Sequence, residues 1–231
     1  MSTSTTSNAP TQPRRELRSL TAAAEKRVLL WIAARLPSWI GSDHLTLLGL
    51  VAMAGAGVSY WLSGSTAMAL HAVNACLVLN WLGDSLDGTL ARHRNRLRPR
   101  YGFYVDHIVD AFGALFVLAG LGASGLMRPE LACGLLVAYY LMSINMYLAA
   151  CSLGVFKMSF GRVGGTELRI LLASLNLAAL ARPSIAIAGE RYALFDLCGA
   201  LGLAGLLALV VVETLRNTAA LYRAERLEPQ A

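Results

Sequence analysis

Charge is scarce in this 231-residue chain, at 15% of residues, and none of it falls within residues 45–62, 66–83, 111–127 or 131–156. Each of these stretches is close to or beyond the roughly 20 apolar residues that a membrane span needs. With 56% hydrophobic residues, an ordinary soluble domain is excluded. Cysteine is scarce as well. Cys76, Cys133, Cys151 and Cys198 all sit in apolar runs without a CxxC spacing, and the four histidines are scattered, so neither a disulfide framework nor a zinc site is supported. Residues 1–13 are rich in Ser, Thr and Pro and have no apolar core, which reads as a disordered tail without signal-peptide character.

Two further apolar segments are weaker. Residues 170–181 make a short span unless it extends through Pro183 toward Ala188, and residues 197–212 are bounded by Asp196 and Glu213. Counting both gives an all-α integral membrane protein with six transmembrane helices. Seventeen of the 20 basic residues fall on one side of such a topology, leaving Arg128, Arg182 and Arg191 on the other. The positive-inside rule then puts both termini and the loop after the second span in the cytoplasm, in a bacterial inner membrane. The net charge of +6 is a topology and anionic-lipid signal, because it is spread over membrane-flanking loops, and nucleic acid is not an expected partner.

Four domains are expected: the tail at 1–13, a juxtamembrane helix at 14–40, a membrane domain at 41–218 and a cytoplasmic tail at 219–231. In the second, Leu17, Leu20, Ala24, Val28, Trp31, Ile32, Leu36 and Trp39 recur at spacings of three and four. That periodicity predicts an N-terminal amphipathic surface helix, lying on lipid or packed against the membrane domain. Gly49, Gly55, Gly57, Gly199, Gly202 and Gly205 allow close helix contacts, within the monomer in preference to a homodimer.

Acidic residues occur where an apolar chain can least accommodate them. Asp84 and Asp87 are three apart, and Asp106 and Asp110 are four apart, so each pair shares one helix face. A hairpin turning between Asn95 and Pro99 brings all four to similar depth, with Asp84 facing Asp110 and Asp87 facing Asp106. Ionised carboxylates at that depth each cost several kcal/mol unless paired, metallated or wetted. Hard dications with oxygen ligands, Mg2+ or Mn2+, are natural neutralisers, and two-ion sites recur in phosphate chemistry.

The run Asp84-x2-Asp87-Gly88-x2-Ala91-Arg92-x9-Gly102-x3-Asp106-x3-Asp110 resembles the signature of the CDP-alcohol phosphotransferases, or CDP-alcohol phosphatidyltransferases, with every fixed position filled. The resemblance implies a six-helix membrane domain and attack of an alcohol acceptor on a CDP-alcohol donor with release of CMP. It assigns Asp84, Asp87 and Asp106 mainly to two Mg2+ or Mn2+ ions, and Asp110 to general-base work with some metal contact. Gly88, Ala91, Arg92 and Gly102 are then substrate-binding candidates, the small residues leaving room for the nucleotide or diphosphate. Ser42-Asp43-His44-Leu45-Thr46 resembles the family's entry to the first span near the nucleotide pocket, which makes Asp43 and Thr46 further candidates. The alternative is an ordinary helix cap by Ser42 or Asp43.

Arg162, Glu167 and Arg169, with Lys157 and Thr166, fall on the same membrane face and are candidates for holding the acceptor. A solvated loop with Thr166 as helix cap is the competing explanation. His107 reads as a neighbour of the acids and not as a ligand. CDP-diacylglycerol is the favoured donor. A CDP-aminoalcohol acting on diacylglycerol is the alternative, because Asp106-His107-x2-Asp110 resembles the choline and ethanolamine enzymes. A divalent-cation carrier is the reading from another class, opposed by the single acidic motif and the absence of a repeated half-motif.

Overall fold

The computed structural model describes residues 22–153, 164–187 and 189–225, and these are almost wholly helical. In chain order come α1 (Ala22–Ala33), α2 (Ser42–Ser63), α3 (Ala69–His93), α4 (Pro99–Ala123), α5 (Pro129–Leu153), α6 (Gly165–Ala181) and α7 (Leu194–Ala224). Helices α2, α4, α5 and α7 are long and apolar enough to cross a membrane, so the chain is an integral membrane protein. Helix α3 has the length but carries Asp84, Asp87 and Arg92, and α6 has only 17 residues.

The helices run past the charges that bound the uncharged stretches, because backbone hydrogen bonding continues whatever the side chain carries. Thus α3 continues through both its aspartates to His93. Helix α7 is 31 residues long and contains the expected 218/219 boundary. At 1.5 Å per residue it spans about 46 Å, more than a bilayer core.

Helix α6 does not extend toward Ala188. It stops at Ala181, and after Pro183 the chain forms an antiparallel hairpin, β1 (Ser184–Ile187) with β2 (Glu190–Ala193), in the register Ser184 to Ala193 and Ile187 to Glu190. Proline has no N–H to continue a helix and pushes the residue before it into extended backbone. Gly189, at φ +89°, supplies the turn. The hairpin is a local departure from an all-helical chain.

Helix α1 and the link after it bury part of the periodic set, Ile32 and Leu36, together with two residues outside it, Leu29 and Ala33. Leu29 and Ala33 pack with Leu45, Leu86 and Leu90, and Ile32, Leu36 and Ile40 close the edges of that cluster. Val28, Trp31 and Trp39 point outward. The link from α1 to α2 is held by Arg94, whose guanidinium donates to the carbonyls of Leu36, Pro37, Ser38 and Ile40. The start of the expected juxtamembrane helix, with Leu17 and Leu20, lies outside the described residues, as does the 1–13 tail.

The main core gathers Ala56 and Tyr60 of α2, Leu70, Val73 and Leu77 of α3, Val117 and Leu121 of α4, and Phe195 of α7. Those of α2, α3 and α4 lie away from the aspartates along their helices. A buried polar chain ties the same region: the Tyr60 hydroxyl donates to Asn176 at 2.8 Å, and the Asn176 amide donates to Asn74 at 2.7 Å. Glycines set the closeness of the helices. A Cβ at Gly120 would overlap the Gly57 carbonyl, and one at Gly57 would overlap the Phe116 carbonyl, whereas one at Gly205 would meet nothing. We therefore expect Gly120→Val to destabilise the fold by about 1–3 kcal/mol through overpacking against backbone, while Gly205→Ala is neutral or stabilising. Thermal unfolding of the two variants in detergent checks the contrast.

Candidate active site

The turn that brings the acidic helices back together is a helix-ending motif. Arg96 N–H donates to Ala91 O at 2.9 Å and Asn95 N–H to Arg92 O at 3.1 Å. Asn95, at φ +54°, takes the left-handed position this motif requires, which asparagine tolerates better than most residues. Pro99 then opens α4, where its missing N–H costs nothing.

Helix α2 packs against both α3 and α4, but α3 and α4 scarcely touch one another. The reason is visible in α4: its buried residues are Gly113, Val117, Gly120 and Leu121, all in its second half. The first half stands away from α3, and a cleft opens there with α2 as its back wall. Asp84, Asp87, Asp106 and Asp110 line one narrow pocket with Thr46, Gly49, Asn80 and Val109. Its volume of about 10 Å³ suits a small ion and not a nucleotide. Asp84 and Asp106 each lie close enough to both Asp87 and Asp110 for direct charge repulsion.

Each wall of the cleft holds its carboxylates differently. Thr46 Oγ1 sits 2.7 Å from Asp87 Oδ2 and 3.1 Å from the Ser42 carbonyl, and its single proton goes to the nearer, charged acceptor. Ser42 in turn donates to the Asp87 carbonyl at 3.0 Å. Arg169 reaches across from α6 to donate to Asp84 Oδ2 at 2.7 Å and to Asn80 Oδ1 at 2.7 Å. On α4, donor atoms of Asp106, His107 and Asp110 all lie within 4.8 Å of one another, a set able to hold a cation. His107, read from the sequence as a neighbour and not as a ligand, therefore sits within ligand distance of two of the acids; it also packs edge-on against Phe103 at 4.4 Å.

A larger cavity of about 450 Å³ lies beside this pocket, lined by Gly41, Ser42, Asp43, Leu90, Ala91, Arg94, Arg96, Leu97 and Arg98. Asp43 pairs there with Arg98, which also lies 4.1 Å over the Tyr101 ring. Neither Ser42 nor Asp43 caps α2: the cap residue is Gly41, whose N–H donates to His44 Nδ1 at 3.1 Å. Glu167 plays the same part for α6, accepting from Gly164 N–H at 2.9 Å, so the cap there is Gly164 and not Thr166. Glu167 and Arg169 thus both have partners within the chain. Arg162 and Lys157 lie outside the described residues.

The two signature glycines are not required by packing. A Cβ at Gly102 would meet nothing within 4 Å, and one at Gly88 would meet only the Arg92 guanidinium, at 3.7 Å or more. Arg92 itself is exposed and touches Thr89 at 3.4 Å. Room is left where helix contact does not demand it, next to acids whose charge asks for cations. Oxygen-rich donors suit Mg2+ or Mn2+, and the His107 nitrogen is compatible with the latter. The residues present fit such ions.

Asn80 is the site residue that sequence reasoning missed. It is buried, and it lies one helical turn before Asp84 inside an otherwise apolar run, which was the available signal.

Comparison with curated proteins finds no match. The model of one family, CDP-alcohol phosphatidyltransferase, matches residues 39–211, three quarters of the chain, and encloses every element of the cleft. The chain is therefore a member of the CDP-alcohol phosphatidyltransferase family: a membrane transferase for substituted phosphate groups, working between a CDP-alcohol donor and an alcohol acceptor.

Proposed function

We propose that the protein moves a phosphatidyl group from CDP-diacylglycerol to an alcohol hydroxyl, releasing CMP, in a reaction that requires Mg2+ or Mn2+. The observation that carries this reading is the convergence of four aspartates, from two helices that hardly touch, on one ion-sized pocket beside a cavity of about 450 Å³. Asp84, Asp87, Asp106 and Asp110 hold the cations, with His107 within reach of the last two. Bound there, two dications supply the positive charge that a diphosphate needs as its bond to CMP breaks.

The chain's own groups do the rest. The larger cavity receives the nucleotide of the donor, with Ala91 leaving room and Arg96 and Arg98 supplying positive charge, while Gly88 and Arg92 serve the donor from the adjoining turns of α3. Asp110 accepts the proton of the acceptor hydroxyl as its oxygen bonds to the β-phosphorus, and the phosphorus–oxygen bond to CMP breaks on the opposite side. Thr46 holds the Asp87 carboxylate in place. Six spans, both termini and the cleft on the cytoplasmic side of a bacterial inner membrane, and the 41–218 membrane domain complete the reading, on the distribution of basic residues. The dense helix contacts through Gly57 and Gly120 serve packing within the monomer and leave homodimer formation to other surfaces.

Purified protein should release CMP from CDP-diacylglycerol in the presence of an alcohol acceptor, and stop when the metal is chelated. Activity undiminished by exhaustive chelation overturns the metal requirement. Release of CMP from CDP-aminoalcohols with diacylglycerol, and not from CDP-diacylglycerol, reverses the donor assignment. A carrier of divalent cations would release no CMP from either.

A further inference from the structure

We infer that Asn80 and Arg169 form a carboxylate-positioning clamp that aims Asp84 and places a fixed positive charge in the acidic cleft, so that α6 acts in the site through Arg169. The inference rests on the reading of the cleft as a divalent-cation site.

The clamp starts from backbone that cannot move. At Gly83 a Cβ would lie 2.6 Å from Leu45 O and 2.8 Å from Gly49 N, so α2 and α3 are in backbone contact there. The Gly49 carbonyl is thereby fixed, and it accepts from Asn80 Nδ2 at 3.1 Å. This settles the amide's orientation, because Oδ1 is then left to accept from a group with donors only. That group is Arg169, whose Nε lies 2.7 Å from Asn80 Oδ1. Its outer nitrogen reaches Asp84 Oδ2 at 2.7 Å. Three helices are joined in one line, from Gly49 through Asn80 and Arg169 to Asp84.

Two consequences follow. Arg169 is largely enclosed, its side chain 16% exposed, and its fork is turned inward, so it is a poor holder of an acceptor phosphate. One oxygen of Asp84 is held and the other is left for a cation. The same guanidinium repels that cation, so the clamp trades affinity for a fixed geometry.

The test is Mn2+ titration of the full chain in nanodiscs, followed by the paramagnetic resonance of free Mn2+, alongside steady-state turnover. Arg169→Gln removes the neighbouring positive charge and should tighten Mn2+ binding by about tenfold. Turnover should fall by about tenfold as Asp84 loses its aim, with the KM for the acceptor little changed. Arg169→Lys keeps the charge without the fork, so Mn2+ affinity should stay within about twofold of the wild type while turnover still falls. Asn80→Ser, which cuts the link and spares Arg169, should behave like Arg169→Lys and carries the test if Arg169→Gln fails to fold. Unchanged or weaker Mn2+ binding in Arg169→Gln, full turnover in Arg169→Lys, or a rise confined to acceptor KM would overturn the clamp. Wild-type protein that binds no Mn2+ would instead overturn the metal reading on which the clamp depends.

Discussion

Asp110→Asn should lower turnover by about 10² to 10⁴-fold, the range that a general base commonly contributes, while donor affinity changes far less. The asymmetry comes from where the residue sits. Asp110 lies on α4, on the wall of the cleft away from the larger cavity, whose lining comes from the α1–α2 link, the start of α2, the end of α3 and the turn after it. Removing its charge takes away a proton acceptor without disturbing that lining. Asp87 is the contrast. Its carboxylate is held by Thr46, and its backbone carbonyl accepts from Ser42, a residue that lines the larger cavity. Asp87→Asn should therefore weaken metal and donor binding together. Single-turnover CMP release, with Mn2+ and donor affinities measured on the same preparations, separates the two. Near-normal turnover in folded Asp110→Asn removes the base assignment, and a parallel loss of metal and nucleotide moves Asp110 among the ligands.

The parts of this site that were legible in the sequence are those written as spacing. The acids at 84, 87, 106 and 110 follow from helical periodicity, and the turn between Asn95 and Pro99 from the mirrored spacing of the two pairs. What was not legible is partnership across helices. Nothing local says that Arg169 ends on Asp84, 85 residues earlier, or that Asp43 pairs with Arg98. Helix caps went astray for a related reason: Ser42 and Thr166 have the right chemistry, but glycines at 41 and 164, each with a side chain three residues on reaching back, take the position. Charge bounded the uncharged stretches but not the helices, and α3 carries its charges inside. On α1 the periodicity picks out Ile32 and Leu36 but not Leu29 and Ala33, whose partners, Leu86 and Leu90, belong to α3.

Gly102→Leu and Gly88→Leu should cut activity by about 100-fold or more while leaving the fold nearly intact, a loss equivalent to roughly 2.7 kcal/mol of transition-state stabilisation. Both positions are open within the chain, so neither leucine meets a wall as Gly120→Val does. A leucine in place of glycine inside a helix even favours the helix, by somewhat under about 1 kcal/mol. Gly102 lies one turn before Asp106 on the same face, and Gly88 lies one turn after Asp84, so the added side chains enter the space around the carboxylates. If that space belongs to the donor, the loss should appear as weakened donor binding, with thermal unfolding unchanged. Alanine should do less than leucine at both sites, because a single methyl occupies less of the room. Full activity of Gly102→Leu would mean that the donor does not pass over the start of α4, and full activity of Gly88→Leu that it does not pass over that turn of α3.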